Sequence, residues 1–301
     1  MRNVLVIGCG DVALRTIPLL TPRYKVFALI RNPEYRTKLR ALGATPIIGN
    51  LDNRHSLARI AGIAEAVLHF APPPNDGVCD QRTRNLLNAL LHTQKRRAKL
   101  PKRIVYISTS GVYGDCGGAW VNETRPVNAK NHRALRRVDA EQQIRLWAKQ
   151  HQVKASILRV PGIYAADRLP LSRIKSGSPC IAAAEDSFTN HIHADDLACI
   201  SIAALQRGKP CRIYHASDDS NLKMGEYFDQ VADACKLPRM PRISRAEAQE
   251  ILSPMLLSFM NESRRLTNDR LKRELKVVLK FPTVEKMLLR ENVHTPIEVI
   301  G

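Results

Sequence analysis

Two glycines and an alanine near the start of the chain have the spacing of a phosphate-binding turn. Gly8, Gly10 and Ala13 form the pattern G-x-G-x-x-A. In such a turn the first glycine permits a tight bend, the second lets the backbone approach a diphosphate, and the small third residue lets a helix pack closely on a strand. The helix that begins with Asp11 and Val12 would point its N-terminal N–H groups at the phosphates. The pattern predicts a dinucleotide site, and a turn with a structural role alone is the alternative.

The segments on either side of this turn are those that such a site needs. Residues 4–7 are a short apolar run rich in β-branched side chains, which favours a strand buried on both faces. Residues 12–20 then show helical spacing. Strand, glycine turn and helix in this order are the context in which the fingerprint binds a dinucleotide.

The rest of the N-terminal half alternates strands and helices. Further strands are predicted at Tyr24–Ile30, 44–48, 64–70 and Arg103–Thr109, and helices at 34–42 and 80–92. This alternation with short turns predicts an α/β fold with a doubly wound parallel sheet, which is the Rossmann architecture.

The chain is long enough for a second, smaller domain. We expect residues 1–167, with 190–217 returning to them, to form the dinucleotide-binding domain. Residues 168–301, interrupted by 190–217, would form a small C-terminal α/β substrate-binding or lid domain. Its predicted helices lie at 222–235, 245–252 and 264–275.

The end of the second predicted strand indicates which dinucleotide binds. A site specific for NAD should place an acidic residue there, whereas a basic residue suits the 2′-phosphate of NADP. The strand ends in Arg31, and no acidic residue occurs between Asp11 and Glu34. The sequence therefore favours NADP(H). NAD is the alternative if Arg31 only begins the next loop.

The loops after the third and fourth strands lie where a ligand binds in such sheets. The carboxyl ends of parallel strands meet at one edge, and ligands bind in the crevice outside that edge. Candidates for contact with adenine and ribose are Asn50, Leu51, Ala71 and Pro72.

The end of the fifth strand resembles the hydroxyl-bearing strand of the extended short-chain dehydrogenase/reductase superfamily, which includes nucleotide-sugar epimerases and dehydratases. There a Ser or Thr stands four residues before the Tyr of V-Y-G, and Thr109 stands in that position before Tyr113. Residues 158–164 are similar to the R-x-P-G-I-Y segment, whose proline, here Pro161, approaches the nicotinamide. Similar likenesses occur at 191–198 and in the tail at 264–268 and 281–283, so the resemblance spans nearly the whole chain.

The resemblance fails at the catalytic pair. Family enzymes carry Tyr-x-x-x-Lys eight and four residues before the Glu of an A-E dipeptide, which here ends at Glu141. Arg133 and Arg137 occupy the two positions. An arginine does not lose its proton at any relevant pH, so Arg133 cannot replace the tyrosine. Arg137 can keep the lysine's role of holding the cofactor ribose.

Another hydroxyl would then have to carry the proton. The nearest candidates are Ser110, Tyr113 and Tyr164. The alternative is that redox chemistry has been lost. The dehydratases' Asp-Glu pair is replaced by Ser110 and Gly111, which argues against sugar dehydration.

The resemblance implies an NAD(P)-binding oxidoreductase or epimerase-like enzyme that acts on a nucleotide-sugar or another polar hydroxyl or carbonyl substrate. The competing hypothesis is a catalytically silent NADP(H)-binding sensor or scaffold. A phosphorylated or nucleotide-linked small molecule would suit the positive charge expected near the cleft, from Arg168, Arg173, Lys175, Arg264 and Arg265.

The net charge of +19 does not identify a partner. The densest basic run extends from Lys95 to Lys99, with Lys102 and Arg103 close behind. It has no interleaved aromatic residues and lies at a predicted helix end, so we interpret it as a solvated terminus rather than a nucleic-acid site. No apolar run is long enough for a membrane span, and the N-terminus leaves no room for a signal peptide, so we expect a cytoplasmic protein, monomeric or homodimeric.

Two other groups of residues could suggest metal or thiol chemistry. The seven cysteines lack C-x-x-C spacing, and Cys9 in the glycine turn is interpreted as a small buried filler rather than a reactive thiolate. His191 and His193 with Asp195 and Asp196 could ligate a metal, but we expect the two aspartates to begin a helix and cap its N–H groups. We expect no metal site.

Overall fold

A parallel sheet of seven strands is the centre of the molecule in the computed structural model, which describes residues 2–91 and 100–291. The strands are β1 (Arg2–Ile7), β2 (Tyr24–Ile30), β3 (Thr45–Ile48), β4 (Ala66–His69), β5 (Arg103–Thr109), β6 (Lys154–Val160) and β7 (Arg212–His215). Their spatial order is 3-2-1-4-5-6-7, and each neighbouring pair is parallel. The order reverses between β1 and β4, which is the switch point where doubly wound sheets bind ligands.

Each strand of this sheet supplies side chains to two cores. In β1, Val4 and Val6 belong to the core on one face, and Leu5 and Ile7 belong to the core on the other. All four are fully buried. Successive side chains of a strand point to opposite faces, so a continuous apolar run is what a sheet covered on both sides requires. The predicted doubly wound fold is confirmed.

Helices cover both faces of the sheet and continue into the C-terminal part of the chain. They are α1 (Asp11–Leu20), α2 (Tyr35–Ala41), α3 (Gln81–Leu91), α4 (His132–Gln150), α5 (Leu171–Lys175), α6 (Ala194–Arg207), α7 (Met224–Ala234), α8 (Arg245–Ile251), α9 (Pro254–Met260), α10 (Asp269–Leu275) and α11 (Val284–Arg290). Residues of α1, α6 and α10 pack on one face of the sheet, and residues of α3 and α4 pack on the other.

Short two-stranded pairings connect distant parts of the chain. They join Trp120–Val121 to Arg265–Leu266, Gly162–Tyr164 to His191–His193, Cys180–Ile181 to Arg242–Ile243, and Phe188–Thr189 to Leu222–Lys223. A separate apolar cluster of the C-terminal part includes Tyr164, Ile174, Phe228, Val231 and Phe281. Apart from Tyr164, the named members of this core fall in residues 168–301, and the division into two domains stays a prediction.

One predicted helix is wrong. Residues 264–275 were expected to be helical throughout, but the helix begins only at Asp269. The preceding residues pair with a distant strand: Arg265 N donates to Ala119 O at 3.0 Å, and Thr267 N donates to Val121 O at 3.0 Å. The partner strand is far away in sequence, so local periodicity gave no sign of it.

Two further features bear on the predicted partners. The basic run from Lys95 to Lys99 falls in residues 92–99, outside the described residues. Within the part of the chain that is described, no helix has the length and apolar character needed to cross a membrane.

A buried ion pair connects β6 to α4 beneath the sheet's carboxyl edge. Arg159 Nη2 donates to Glu141 Oε2 at 2.7 Å, and the two side chains are only 3% and 4% exposed. Ser108 Oγ donates to Glu141 Oε1 at 2.6 Å, and the Arg159 guanidinium lies 4.7 Å from the centre of the Tyr113 ring. The ion pair and the Ser108 hydrogen bond therefore connect β5, β6 and α4 to one another.

We expect Glu141→Gln to destabilise the fold by about 3 kcal/mol or more, because it leaves the Arg159 charge buried without its counter-ion. Urea denaturation followed by circular dichroism measures the loss. The matched control is Gln142→Ala on the exposed side of α4, which should change the unfolding free energy by no more than about 0.5 kcal/mol. Equal midpoints for the two variants would contradict a stabilising role for the pair.

Candidate cofactor and substrate site

The glycine turn after β1 passes against the loop that follows β4. Gly8 has φ of +85°, and a Cβ atom at this position would lie 2.4 Å from Ala71 N and 2.5 Å from Ala71 Cα. No side chain fits there. Gly10 is different: its φ and ψ of −81° and −165° suit any residue, and a Cβ would meet nothing within 4 Å. The space in front of Gly10 is therefore open to a ligand.

The helix that follows this turn presents its N-terminus to the same space. Gly10 is the N-cap of α1 and provides no side-chain cap, and the first helical bond runs from Leu14 N to Gly10 O at 3.0 Å. The N–H groups of Asp11, Val12 and Ala13 thus have no acceptor within the helix. Together with the helix dipole they favour an anion at this end. Ala13 is 1% exposed and lies in the core between α1 and the sheet.

A cavity of about 290 Å³ lies on one side of the turn, at the carboxyl ends of the first four strands. It brings together Gly8 of the turn and the residues predicted to contact the adenosine half of a dinucleotide: Arg31, Asn50, Leu51, Ala71 and Pro72. Cys9 also lines it, and burial raises the pKa of its thiol to about 12. The raised pKa argues against a reactive thiolate, but Cys9 is half-buried at the cavity wall rather than fully buried.

Arg82 and Asp52 complete this cavity and were not among the predicted site residues. Arg82 Nε and Nη2 donate to the Asp52 carboxylate at 2.7 and 2.8 Å, and Arg82 Nη1 donates to Pro72 O and Pro73 O. The hydrogen bonds from Arg82 lower the pKa of Asp52, and the nearby charge of Arg31 contributes to the same effect. The carboxylate is therefore neutralised by arginine, and no local pattern reveals that α3 supplies the partner.

A second cavity of about 650 Å³ lies at the carboxyl ends of β5 and β6. Thr109, Ser110, Pro161 and Arg133, which the sequence analysis singled out, all line it. Thr109 Oγ1 accepts a hydrogen bond from Gly111 N at 3.2 Å and so caps the short 3₁₀ turn Ser110–Tyr113. This bond fixes the hydroxyl at the wall of the cavity.

An acidic residue from the C-terminal part of the chain reaches into the second cavity. Glu262 accepts hydrogen bonds from Asn131 Nδ2 at 3.1 Å and from Arg264 Nη1 at 2.9 Å, and it interacts electrostatically with Arg133. Asn131 could have been found from the sequence, because its side chain caps α4 by accepting from Ala134 N at 2.8 Å. No local signal marks Glu262.

The two tyrosines considered as proton carriers lie outside this cavity. Tyr164 is 1% exposed and packs in the second core, edge-on to His191 and His193. Tyr113 is also 1% exposed, and its hydroxyl is hydrogen-bonded to His215 Nε2 at 2.6 Å. Burial raises the pKa of both phenols, that of Tyr113 to about 12. Burial thus removes Tyr164 and Tyr113 from the candidates for proton transfer, which corrects the sequence-based expectation.

Arg137 lies behind the site rather than in either cavity lining. Its Nη1 donates to Tyr106 OH at 3.0 Å and to Ile107 O at 2.6 Å, so the guanidinium is held against β5. Its predicted role as the lysine's replacement therefore remains a hypothesis.

The histidine and aspartate group at the start of α6 has structural partners. The helix is capped by His193, whose Nδ1 accepts from Asp195 N at 3.2 Å, so the cap is the histidine rather than the expected aspartates. Asp195 binds Arg15, and Asp196 accepts from Lys280 N and Phe281 N. No group of three or more potential metal-ligating side chains occurs within residues 2–91 and 100–291.

Comparison with solved structures finds the same fold over almost the whole chain. A conserved protein of unknown function from Silicibacter pomeroyi is 28% identical, with a TM-score of 0.78 over 96% of this chain and 97% of that one. The UDP-glucuronic acid 4-epimerase of Bacillus cereus, solved with UDP-glucuronic acid and NAD, is 17% identical, with a TM-score of 0.74 over 97% and 98% of the two chains. The second likeness concerns the fold alone.

Comparison of sequences gives the family. A curated relative, a 4-hydroxy-2-methyl-3-oxo-4-farnesyl-3,4-dihydroquinoline-1-oxide ketoreductase from Stigmatella aurantiaca, is 29% identical over 119 residues. That match spans 38% of this chain and about a third, 35%, of the ketoreductase. The model of the NAD dependent epimerase/dehydratase family matches residues 18–216, well over half of the chain. This protein therefore belongs to the NAD-dependent epimerase/dehydratase family.

Proposed function

We propose that this protein binds NADP(H) and acts as an oxidoreductase or epimerase-like enzyme on a polar hydroxyl or carbonyl substrate. The observation that carries the proposal is the pair of cavities at the carboxyl edge of the sheet. The adenosine-side cavity contains Gly8 and Arg31, and the larger cavity contains Thr109 and Pro161. A dinucleotide has this two-part form, with its diphosphate between the two halves.

The residues present fit such a cofactor. The turn is held so close to Ala71 that Gly8 admits no Cβ, while the space before Gly10 stays open. When bound, the cofactor would supply hydride transfer. The amides at the start of α1 would hold its diphosphate, and Asn50, Leu51 and Pro72 would surround the adenosine.

Arg31 supports NADP over NAD. It lines the adenosine-side cavity at the end of β2, where a 2′-phosphate would sit. The carboxylate of Asp52 in the same cavity is held by Arg82, so it is poorly placed to accept hydrogen bonds from the ribose hydroxyls of NAD. A guanidinium matches the geometry of a phosphate group.

Thr109 and the charged groups around it support chemistry on a polar substrate. The Thr109 hydroxyl would bind the substrate oxygen near the nicotinamide. Ser110 and Glu262 line the same cavity and can exchange a proton, whereas Arg133 cannot. Arg133 and Arg264 line this cavity too, and their charge would suit a phosphorylated or nucleotide-linked substrate.

A catalytically silent NADP(H) sensor or scaffold is the second candidate. The observation that favours it is the combination of Arg133 at the usual tyrosine position with the burial of Tyr113 and Tyr164. In this case the first cavity would still bind the cofactor, and Ser110 and Glu262 in the second cavity would not support turnover.

The cofactor preference can be tested at Arg31. We expect Arg31→Ala to weaken NADPH binding by about ten- to hundredfold through loss of charge-assisted hydrogen bonds, and to change NADH binding by less than about twofold. Fluorescence titration of both cofactors measures this. Arg23→Ala, at the opposite end of β2, removes the same charge and should leave both affinities unchanged. Equal affinity of the unmodified protein for NADPH and NADH would contradict the NADP assignment.

A substitution at Gly10 separates the role of the glycine turn in cofactor binding from its role in folding. Because a Cβ there meets no atom of the protein, Gly10→Ala should shift the unfolding free energy by at most about 1 kcal/mol. It should weaken NADPH binding about tenfold or more, since the methyl group occupies space that the diphosphate needs. Unaltered NADPH affinity in a folded variant would favour a turn with no role in binding.

Turnover distinguishes the enzyme from the sensor. If the protein is an enzyme, substrate-dependent NADPH oxidation should be measurable over a panel of polar carbonyl compounds, and Thr109→Ala should lower kcat by about a hundredfold. Thr124→Ala, an exposed threonine elsewhere, serves as the control. Tight NADPH binding without turnover across the panel would instead support the sensor.

A further inference from the structure

Arg168 lies between the glycine turn and the second cavity, which the proposed function assigns to the substrate. We call the second cavity the substrate cavity. It ends the short 3₁₀ turn Ala166–Arg168 after the strand Gly162–Tyr164, and it lines the second cavity together with Thr109 and Pro161. Its Nη1 also donates to Asp11 Oδ2 at 2.8 Å, in the first turn of α1. One guanidinium therefore reaches from the substrate cavity to the helix that follows the glycine turn.

Asp11, the partner of Arg168, lies where its carboxylate would repel an anionic ligand. Asp11 puts a carboxylate at the N-terminus of α1, which is the helix end that would hold the diphosphate. The carboxylate and the diphosphate are both negatively charged, so they would repel each other. Partial burial opposes the ionisation of Asp11, but hydrogen bonds from Arg168 and Arg15 outweigh it and lower its pKa. The carboxylate is thus charged, and the positive charges of Arg15 and Arg168 offset it.

The two arginines differ in how fully they are engaged. Arg15 binds three carboxylates, those of Asp11, Asp167 and Asp195, at 2.8 to 3.0 Å. Among the described residues Arg168 donates to a side chain only through Nη1, and the side chain is 36% exposed. The remaining N–H donors of the Arg168 guanidinium can therefore bind a second anion. The Arg15–Asp167 ion pair holds Asp167, the residue before Arg168, against α1.

We propose that Arg168 binds the diphosphate of the cofactor from the substrate side and neutralises it beside Asp11. The proposal rests on the proposed NADP(H) function and extends it, because it assigns Arg168 to the cofactor rather than to the substrate. The amides of α1 would hold the diphosphate on one side and the Arg168 guanidinium would hold it on the other. Arginine suits this role because its fork matches phosphate oxygens.

The experiment compares NADPH with 2′-AMP, which carries the adenosine and 2′-phosphate but no diphosphate. Arg168→Ala should weaken NADPH binding about ten- to hundredfold and leave the affinity for 2′-AMP unchanged. The matched control is Lys280→Ala. Lys280 contacts Asp195 in the same charge network at 3.8 Å, so the variant makes the same charge change without reaching Asp11.

A second pair of variants separates direct binding from simple neutralisation of Asp11. If Arg168 contacts the diphosphate, Arg168→Ala should weaken NADPH binding in the Asp11→Asn background as well. If it only cancels the charge of Asp11, the loss should vanish in that background, which would overturn the proposal.

The remaining outcomes are also decisive. Equal NADPH affinity of Arg168→Ala and the unmodified protein would overturn the role of Arg168 while leaving the NADP(H) site intact. Equal weakening of NADPH and 2′-AMP would show a general disturbance of the site and would also overturn it. If the unmodified protein binds neither NADPH nor 2′-AMP, the proposed function itself fails.

Discussion

The close approach of two loop backbones is the constraint on which the whole site depends. The turn after β1 passes the start of the loop after β4 so closely that a Cβ at Gly8 would overlap the backbone of Ala71. These strands are neighbours at the point where the strand order reverses. Beyond this contact one loop enters α1 on one face of the sheet and the other leads through Pro72 to α3 on the other face, which is where doubly wound sheets form a crevice.

The charges in this crevice are arranged around the few carboxylates that it contains. Asp52 is bound on two atoms by Arg82, and Asp11 is bound by Arg15 and Arg168. Arg82 and Arg168 come from segments distant in sequence, whereas Arg15 lies one turn from Asp11 in α1, so closing the fold completes the neutralisation of both acids. A cleft with paired carboxylates and further arginines attracts anions, and this is consistent with the strongly basic chain.

The cavity at the carboxyl ends of β5 and β6 lacks the tyrosine of the family's Tyr-x-x-x-Lys pair. Arg133 faces this cavity in the position where the family's tyrosine would stand, while Arg137 is held against β5 by Tyr106 and Ile107. The cavity acquires Glu262 from the C-terminal part of the chain, held by Asn131 and Arg264. Its ionisable groups therefore differ in charge from a tyrosine–lysine pair.

The sequence by itself determined the sheet, the glycine turn and much of the cavity beside that turn. These depend on local patterns: apolar runs that make buried strands, the spacing of Gly8 and Gly10, and the rule that loops after parallel strands share one edge. That rule brought Arg31, Asn50 and Ala71 together correctly. Only the tertiary structure decided the short strand at Arg265–Leu266, the burial of Tyr164, and the pairing of Asp11 with Arg168, of Asp52 with Arg82 and of Glu262 with Asn131. Each of these depends on a contact between segments far apart in sequence, and no local periodicity or spacing encodes which distant charge or strand will meet them.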